Sequence, residues 1–421
     1  MRITYVARSF LDYRVPVLAE LDQISGNKLS FITSDKWTPE RALNRLKTVL
    51  GNRAICLSGE LSVGTDVPSE ANTTVCLPYQ PGLWSAINAT HPEVLVGDGF
   101  FQWTFTTLLH RLCQGIPVVV CYERWAHTER NAQWYRRAYR SLALKLVDAV
   151  CCNGRLSEMY VHSLGVPAAK ITKGQMAADI NGLAAQRRAV SPAQRERLRQ
   201  GWSAAKVVFL YVGQLIKRKG LKPLLHAWEA FERKAPGQGT LVLVGCGPEE
   251  SALKGQVEMA KLRHVFFAGQ VDYRRLVPYY AATDAFIIPT LEDNWSLVVP
   301  EAMACGLPIL CSKYNGCWPE MVQEGRNGWV FDPLDMQGTI QTLNKTVSHR
   351  DELARMGAES LAIVSKHSPR RAAQAIFSAC KLALNRIDSF DKENIESSGI
   401  ERPILRDPQH PSFDVQRFFS K

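Results

Sequence analysis

This sequence of 421 residues lacks three patterns that define well-known classes of protein. Its eleven cysteines are an odd number and include no CxxC pair, which argues against a disulfide framework. No apolar run approaches the roughly 18 residues of a membrane span. The amino terminus, MRITYVARSFLDYR, carries Arg2, Arg8 and Asp12 where the core of a signal peptide would be apolar. We therefore expect a cytoplasmic protein that reaches the inner face of the plasma membrane only by peripheral attachment.

The sequence also lacks a clear metal-binding pattern. Cys305, Cys311 and Cys317 recur at intervals of six, but they fall on a predicted helix, a predicted strand and a predicted loop. No histidine joins them in sequence, so buried free thiols in a reducing compartment are the better interpretation. We expect no metal and no other cofactor.

A dinucleotide-binding fingerprint is missing as well. LVLVGCGPEE, residues 241–250, is a predicted strand ending in Gly-x-Gly-Pro, but the third glycine of GxGxxG is absent. A tight strand-to-helix turn explains this segment as well as a phosphate site does. Since no other glycine loop supplies the fingerprint, the sequence argues against a dinucleotide-dependent oxidoreductase.

What the sequence does have is an unevenly distributed positive charge. The net charge is +11, and residues 1–200 contain 24 Lys and Arg against 16 Asp and Glu. A basic face attracts nucleic acid, anionic lipid or a phosphorylated substrate, and it can also be a solvated surface without a partner. No recognised nucleic-acid-binding module accompanies the charge, so we expect no nucleic-acid partner.

Short β-branched runs alternate with helical stretches along most of the chain. The predicted strands are RITYVA, KLSFIT, TTVCLP, EVLVGD, IPVVVCY, DAVCCN and KITKG, then KVVFLYVG, GTLVLVGCG, HVFFAG, DAFIIPT, LPILCS and GWVFDP. Continuous apolar strands alternating with helices indicate parallel sheets that are covered on both faces. The charged stretch 184–206 separates the two sets. The sequence therefore predicts an α/β protein of two doubly wound domains with a cleft between them.

The segment YVGQLIKRKG, residues 211–220, is a strand followed by a glycine turn and three adjacent cations. Lys217, Arg218 and Lys219 could hold a diphosphate by charge-assisted hydrogen bonds, each contributing about 1.5–3 kcal/mol. A solvated basic turn is the alternative interpretation.

The segment PTLEDNWSLVVPEAMACGLPIL, residues 289–310, sets two acids eight positions apart. Free backbone amides near a helix start, around Trp295 to Val298, would attract an anion. Glu301 lies about a turn further on, and Asp293 precedes the helix, so the pair could accept bonds from two sets of sugar hydroxyls. Alternatively, Glu301 only favours the helix dipole and Asp293 caps a turn.

Together these segments resemble a known family. Residues 267–333 are similar to the retaining nucleotide-sugar glycosyltransferases of family four, which have the GT-B architecture of two facing Rossmann-like domains. The acid–x7–acid motif of that family falls on Asp293 and Glu301, and its VGxGP motif falls on Val244–Pro248. Its strand-turn motif falls on Gly213, Gln214, Lys219 and Gly220. Two departures are Asp293, where relatives usually have Glu, and Gln214, which is often Arg.

The resemblance implies roles for individual residues. Glu301 would bind the ribose, Asp293 the sugar hydroxyls, and Lys219 with Arg218 the diphosphate. The implied catalytic residues are Lys219, Asp293 and His127, the last from a loop whose histidine touches the reacting sugar in relatives, although a structural surface histidine fits the sequence equally well. The implied donor-binding residues are Gly213, Gln214, Arg218, Gly245, Asn294, Trp295, Ser296, Leu297 and Glu301. Glu320 is expected to pack against a helix or cap one.

The acceptor side is harder to read, because the glycine-rich loop common after the first strand in relatives is replaced by VARSFLDYRVPV. The candidates are Arg14, for an acceptor phosphate, with Asp98 and Glu123 at the ends of strands. Helical periodicity extends over residues 124–146, where Arg136, Arg137 and Arg140 alternate with Trp134, Tyr135 and Tyr139. A basic, aromatic helix suits a membrane interface or a lipid-phosphate acceptor, and a plain solvated face is the alternative.

The resemblance implies a metal-independent transfer of a hexosyl group from a nucleotide-diphosphate sugar, with retention of configuration, to a lipid-linked or oligosaccharide acceptor for surface polysaccharide. A catalytically silent sugar-nucleotide-binding protein remains the alternative. The implied organisation is an acceptor-binding domain (1–185), a donor-binding domain (186–365), a helix packing back toward the first domain (366–387) and a polar tail (388–421).

Overall fold

The computed structural model describes residues 1–63 and 77–384. The strands described in the first part of the chain are β1 (Ile3–Val6), β2 (Leu29–Ser34), β3 (Ala54–Leu57), β4 (Leu61–Val63), β5 (Leu77–Tyr79), β6 (Val94–Asp98), β7 (Val118–Tyr122), β8 (Ala149–Cys152) and β9 (Ile171–Lys173). A parallel sheet runs in the order β3-β2-β1-β6-β7-β8-β9, and β4 pairs with β5 in a separate antiparallel ribbon.

A second parallel sheet follows later in the chain, in the order β12-β11-β10-β13-β14-β15. Its strands are β10 (Val207–Val212), β11 (Gly239–Val244), β12 (Val265–Gly269), β13 (Ala285–Ile288), β14 (Ile309–Ser312) and β15 (Gly328–Phe331). In β10 and β11 every residue is buried, as expected for strands covered by helices on both faces.

Helices connect the strands and cover both sheets. Those in the first domain or leading out of it are α1 (Arg14–Ile24), α2 (Glu40–Leu50), α3 (Leu83–Ala89), α4 (Thr104–Gln114), α5 (Trp134–Leu144), α6 (Arg155–Ser163), α7 (Ile180–Ala189) and α8 (Pro192–Gly201). The later ones are α9 (Leu221–Lys234), α10 (Glu250–Met259), α11 (Val277–Ala281), α12 (Val298–Ala304), α13 (Trp318–Met321), α14 (Met336–Ser348), α15 (Leu353–Val364) and α16 (Pro369–Ala383). Within the described residues, no helix is both long and apolar enough to cross a membrane.

Both sheets reverse their strand order, and these reversals decide where a ligand can bind. In the first sheet the order turns between β1 and β6, and in the second between β10 and β13. Ligands of doubly wound sheets bind beyond the carboxyl ends of the strands at such a switch point. The two-domain α/β fold predicted from the sequence is confirmed.

The last helix returns to the first domain. Ser368 caps α16 by accepting a hydrogen bond from the Arg371 amide, and Pro369 opens its first turn. The buried side of α16, which includes Ala373 and Cys380, packs in one core with α1 and the first sheet. The domain limits drawn from the sequence stay predictions, and residue 185 lies within α7, whose Ile180 and Leu183 belong to the core of the second domain.

Three predictions of secondary structure need correction. The sequence reading missed β3, because its four residues form an edge strand and are mostly only half-buried. The predicted strand TTVCLP lies partly outside the described residues, and its end belongs to the antiparallel pair of β4 and β5. The helix predicted over 124–146 begins only at Trp134, because the Thr128 hydroxyl bonds the backbone of Trp125 and favours a turn there.

The described cysteines are free thiols. Cys305, Cys311 and Cys317 are buried, as expected from the sequence. Cys113 and Cys246 are exposed, so the expectation of buried thiols does not hold for every cysteine. Among the residues that the structure describes, no group of His, Cys, Asp and Glu could hold a metal ion.

Candidate functional site

The turns at the carboxyl edge of the second sheet depend on glycines at two positions. Gly220 has a φ of 69°, and a Cβ there would overlap the carbonyl oxygen of Pro289. Gly245 has a φ of 140°, and a Cβ there would overlap the carbonyl oxygen of Gly213. Only glycine allows these close backbone approaches. The three loops that carry the sequence motifs therefore meet at one edge.

Lys219 and Asp293 form the central contact of this edge. The Lys219 ammonium is paired with Asp293 Oδ2, which also accepts a hydrogen bond of 2.6 Å from the Ser296 hydroxyl. Burial alone raises the pKa of Asp293, but the charge of Lys219 and these hydrogen bonds outweigh it, so the pKa lies below its usual value. Asp293 is thus ionised at neutral pH, and within the described residues its Oδ1 accepts one hydrogen bond, from the Trp295 amide at 3.2 Å.

Glu301 lies in the first turn of α12 and is 6% exposed. Burial raises its pKa to about 7, although hydrogen bonds from the Tyr280 and Tyr273 hydroxyls oppose the shift. The Tyr280 hydroxyl donates to Oε2 over 3.2 Å. The carboxyl group therefore changes its charge near neutral pH, which its position in the sequence does not reveal.

The amides at the start of α12 differ in availability. The Trp295 amide donates to Asp293, and the Ser296 amide donates to Asn315 Oδ1 over 3.4 Å. The amides of Leu297 and Val298 make no hydrogen bond within the described part of the chain. The expectation of free amides from Trp295 to Val298 thus holds for the second half of that stretch only.

The remaining donor-side candidates line the same edge. The Arg218 side chain is exposed, and its carbonyl oxygen accepts the Leu291 amide at 2.8 Å, which joins the two loops. Gln214 is exposed, and its carbonyl oxygen accepts the Tyr211 hydroxyl at 2.8 Å. Asn294 Oδ1 is a buried atom without a partner in the described residues.

The loop after β7 reaches across to this edge from the first domain. His127 Nε2 lies 2.8 Å from the Leu291 carbonyl oxygen, and its ring stacks on Tyr314 with centroids 4.7 Å apart. Burial, more than any neighbouring charge, lowers the pKa of His127, so the ring is neutral and Nε2–H is the donor. The Trp125 indole N–H donates to the Asp293 carbonyl oxygen over 3.0 Å.

Arg14, Asp98 and Glu123 are brought together at the carboxyl edge of the first sheet. The Arg14 guanidinium lies 3.0 Å from Asp98 Oδ1, 2.6 Å from Glu123 Oε1 and 3.0 Å from the Tyr5 hydroxyl. Burial raises the pKa of Glu123 despite this cation. Asp98 and Glu123 thus engage the Arg14 guanidinium, which was expected from the sequence to bind an acceptor phosphate, and their oxygens can accept hydrogen bonds from hydroxyl groups.

The sequence reading missed the residues that join the two domains. Trp125 and Tyr314 enclose His127, and the Arg130–Glu292 ion pair of 2.8 Å lies beside them. Glu320 Oε1 accepts the Arg155 amide at 2.5 Å, so the helix it caps, α6, belongs to the other domain. A contact between residues more than 160 positions apart cannot be predicted from local sequence. The aromatic residue Trp125, close to the candidate His127, was the one weak indication of a contact surface.

The membrane-facing helix expected from the sequence needs one correction. Arg140 is 2% exposed and paired with Glu129 at 2.5 Å, so it is part of the core. Trp134 is 80% exposed and Leu142 61% exposed. The exposed side of α5 thus carries Trp134, Tyr135, Arg137 and Leu142, and Lys145 follows it.

Comparisons with known proteins agree with this geometry. Residues 193–361 match the family model described as glycosyl transferases group 1. A GDP-mannose-dependent alpha-(1-6)-phosphatidylinositol monomannoside mannosyltransferase of Mycolicibacterium smegmatis is 26% identical over 42% of this chain and 48% of its own length. The sulfoquinovosyl transferase SQD2 of Arabidopsis thaliana is 23% identical over 83% of this chain and 66% of its own length. The matched stretches thus span about half to two thirds of these relatives.

Among solved structures, Anabaena HepE in complex with UDP and glucose superposes with a TM-score of 0.66. The match covers 90% of this chain and 98% of that one at 19% identity, a level that speaks for the fold alone. The matched range 193–361 contains the three loops that meet at the carboxyl edge of the second sheet. The chain therefore has a GT-B fold, and residues 193–361 of it match the glycosyl transferases group 1 model.

Proposed function

We propose that this protein is a glycosyltransferase that moves a hexosyl group from a nucleotide-diphosphate sugar to a lipid-linked or oligosaccharide acceptor, with retention of configuration. The observation that supports this proposal most directly is the contact of Lys219 with Asp293, next to the loop that carries His127. Cation, carboxylate, free helix amides and a neutral imidazole lie at the switch point of the second sheet, where doubly wound folds bind their ligands.

In the proposed reaction, the bond between the anomeric carbon and the diphosphate oxygen breaks while the acceptor hydroxyl attacks from the same face. The departing diphosphate takes the proton of the acceptor. Lys219, exposed Arg218 and the amides of Leu297 and Val298 stabilise its negative charge electrostatically. No metal is needed for this role. Closure of the two domains excludes water and limits hydrolysis of the donor.

The donor would be held by two carboxyl groups. Asp293 Oδ1 has spare capacity to accept a sugar hydroxyl, since it accepts a single amide from the part of the chain that the structure describes. Glu301 would accept the ribose hydroxyls in its ionised form. Because its pKa lies at about 7, donor affinity is expected to rise with pH through that value.

The acceptor would bind between the domains against Asp98 and Glu123, with Arg14 as their counter-ion. The exposed side of α5 would place the protein on the cytoplasmic face of an anionic membrane. Its aromatic and aliphatic side chains, flanked by Arg137 and Lys145, have the composition of an interfacial helix. This setting fits the biosynthesis of surface polysaccharide.

A catalytically silent sugar-nucleotide-binding protein is the second candidate. The observation that favours it is Gln214, an exposed and uncharged side chain at a position that is often Arg in relatives, which leaves the diphosphate with one cation fewer. Turnover separates the two, because a silent binder takes up the donor without transferring or hydrolysing its sugar.

The proposal is tested by calorimetric titration with UDP, GDP, ADP and NAD, repeated on Glu301→Ala. We expect one nucleoside diphosphate to bind with a dissociation constant of about micromolar order and the variant to lose at least about tenfold in affinity. The corresponding labelled nucleotide sugar is then incubated with a membrane extract, and transfer of the label is measured. Equal binding by Glu301→Ala would show that the 293–301 segment is not the donor site.

A further inference from the structure

A hollow of about 430 Å³ lies at the edge of the second sheet where the strands begin, opposite the carboxyl edge that carries the donor-site candidates. Val207, which opens β10, lies at this edge, as do Asp284 just before β13 and Leu307 just before β14. The donor residues follow the other ends of these strands. At about 3.3 Å per residue, a strand of six residues separates the two places by about 20 Å.

Three of the cations that line the hollow have no partner among the described residues. Arg187 on α7, Arg195 on α8 and Lys206 line it. Among residues 1–63 and 77–384, their side chains make no ion pair or hydrogen bond, and the Nε atoms of both arginines are shielded from solvent without an acceptor. Shielded N–H groups of this kind normally have a hydrogen-bond partner.

The acids of the hollow do not neutralise these cations. Asp284 accepts Arg199 at 3.0 Å and the Val208 amide at 2.7 Å, so its charge is already matched. Asp351 is largely exposed and lies 3.5 Å from Arg350. Arg187, Arg195 and Lys206 are therefore an uncompensated positive cluster.

The mutual proximity of these charges is unfavourable in the free protein. Burial and then the charge of Arg195 lower the pKa of the Arg187 guanidinium. An anion that entered the hollow would accept the free N–H groups and remove the repulsion at the same time.

We propose that this hollow is a binding site for a small, soluble, phosphate-bearing molecule, separate from the donor site. Two guanidinium groups and one ammonium match the oxygen acceptors and the charge of a phosphate, which arginine recognises in a bidentate manner. The volume is within the range of small-molecule sites and suits a ligand of the size of a sugar phosphate.

The probe is inorganic pyrophosphate, titrated calorimetrically into the full-length protein. The test variant is Arg187→Gln/Arg195→Gln. The matched control is Arg188→Gln/Arg197→Gln, which removes the same charge from the exposed sides of the same two helices. The donor site is identical in the two variants, so a difference between them reports on the hollow and does not depend on the proposed transferase activity.

We expect the test variant to lose a binding component, or at least about tenfold in affinity, that the control keeps. Without ligand, the test variant should unfold at the same or a higher temperature than the wild type, because repulsion is relieved. Equal binding by both variants, or an equal loss in both, would overturn the site. Sedimentation with phosphatidylglycerol vesicles should be the same in both variants; a loss confined to the test variant would overturn the assignment to a soluble ligand.

Discussion

Two acids eight residues apart, Asp293 and Glu301, have opposite electrostatic environments. Asp293 is held ionised because Lys219 and Ser296 outweigh the effect of burial on its pKa. Glu301 is buried beside the hydroxyls of Tyr280 and Tyr273, and burial raises its pKa to about 7 despite their hydrogen bonds. The difference fits a division of roles in which Asp293 stays charged while Glu301 gains full charge when ligand hydroxyls donate to it.

The shifted pKa of Glu301 gives a prediction for stability. Its folded pKa of about 7 exceeds the ordinary value of 4.5, so the folded state binds the proton more tightly than the unfolded state does. The favourable contribution is therefore present below the ordinary pKa and is lost as pH rises through about 7. We expect Glu301→Gln to match the wild type at about pH 5 and to exceed it by up to about 3 kcal/mol at about pH 8.

Thermal and urea unfolding at both pH values measure the difference. Glu258→Gln, at an exposed glutamate of α10, is the control and should change stability little at either pH. A wild type that is as stable as Glu301→Gln, or more stable, at the higher pH would contradict the raised pKa.

At the scale of elements, local pattern was informative wherever burial is uniform. The apolar runs at β10 and β13 predicted strands, and the polar turn before α12 predicted a helix start, because both signals lie within a few residues. The edge strand β3 was not predicted, because its residues are mostly half-buried and show no clear alternation of apolar and polar side chains. The start of α5 was not predicted correctly because it depends on the contact of Thr128 with Trp125. The burial of Arg140 was not predicted because it depends on the ion pair with Glu129. Helical periodicity shows neither contact.

The exposed side of α5 gives a prediction for membrane binding. Trp134 and Leu142 lie on this side at a spacing of eight residues, about two helical turns, and are flanked by Arg137 and Lys145. We expect Trp134→Ala/Leu142→Ala to lose at least about fivefold in binding to phosphatidylglycerol-containing vesicles, since two apolar anchors are removed. Flotation with vesicles of phosphatidylcholine, with and without phosphatidylglycerol, measures it.

The control for this experiment is Met259→Ala/Leu334→Ala, which removes two exposed apolar side chains from the second domain. It should float like the wild type. The membrane role of α5 would be contradicted if the wild type binds vesicles equally with and without phosphatidylglycerol. It would also be contradicted if the control loses as much binding as the α5 variant, and α5 would then be a plain solvent-exposed helix.

At the scale of the whole molecule, two separate stretches of the chain contribute to the first domain. It leaves through α7 and α8, builds the second sheet, and returns through α16, whose buried side packs on α1 and the first sheet. The two domains also meet through Trp125, His127 and Glu320. None of these contacts could be predicted from local pattern, because each joins residues that are far apart in the sequence.

The return of α16 predicts a one-sided loss of stability. Ala373 is fully buried in the apolar core that α16 shares with α1 and the first sheet, so Ala373→Glu would place a carboxylate in that core. We expect the first domain to lose more than about 2 kcal/mol, while the second domain keeps its stability because its core does not include α16. Hydrogen exchange should then lose protection in β1, β7 and β8 but not in β10, β11 and β13. Gln374→Glu, one residue on at an exposed position, adds the same group to the same helix and should leave both domains protected. Equal loss of protection in the two domains would mean that they unfold as one cooperative unit, and that the contacts between them contribute more to stability than α16 does.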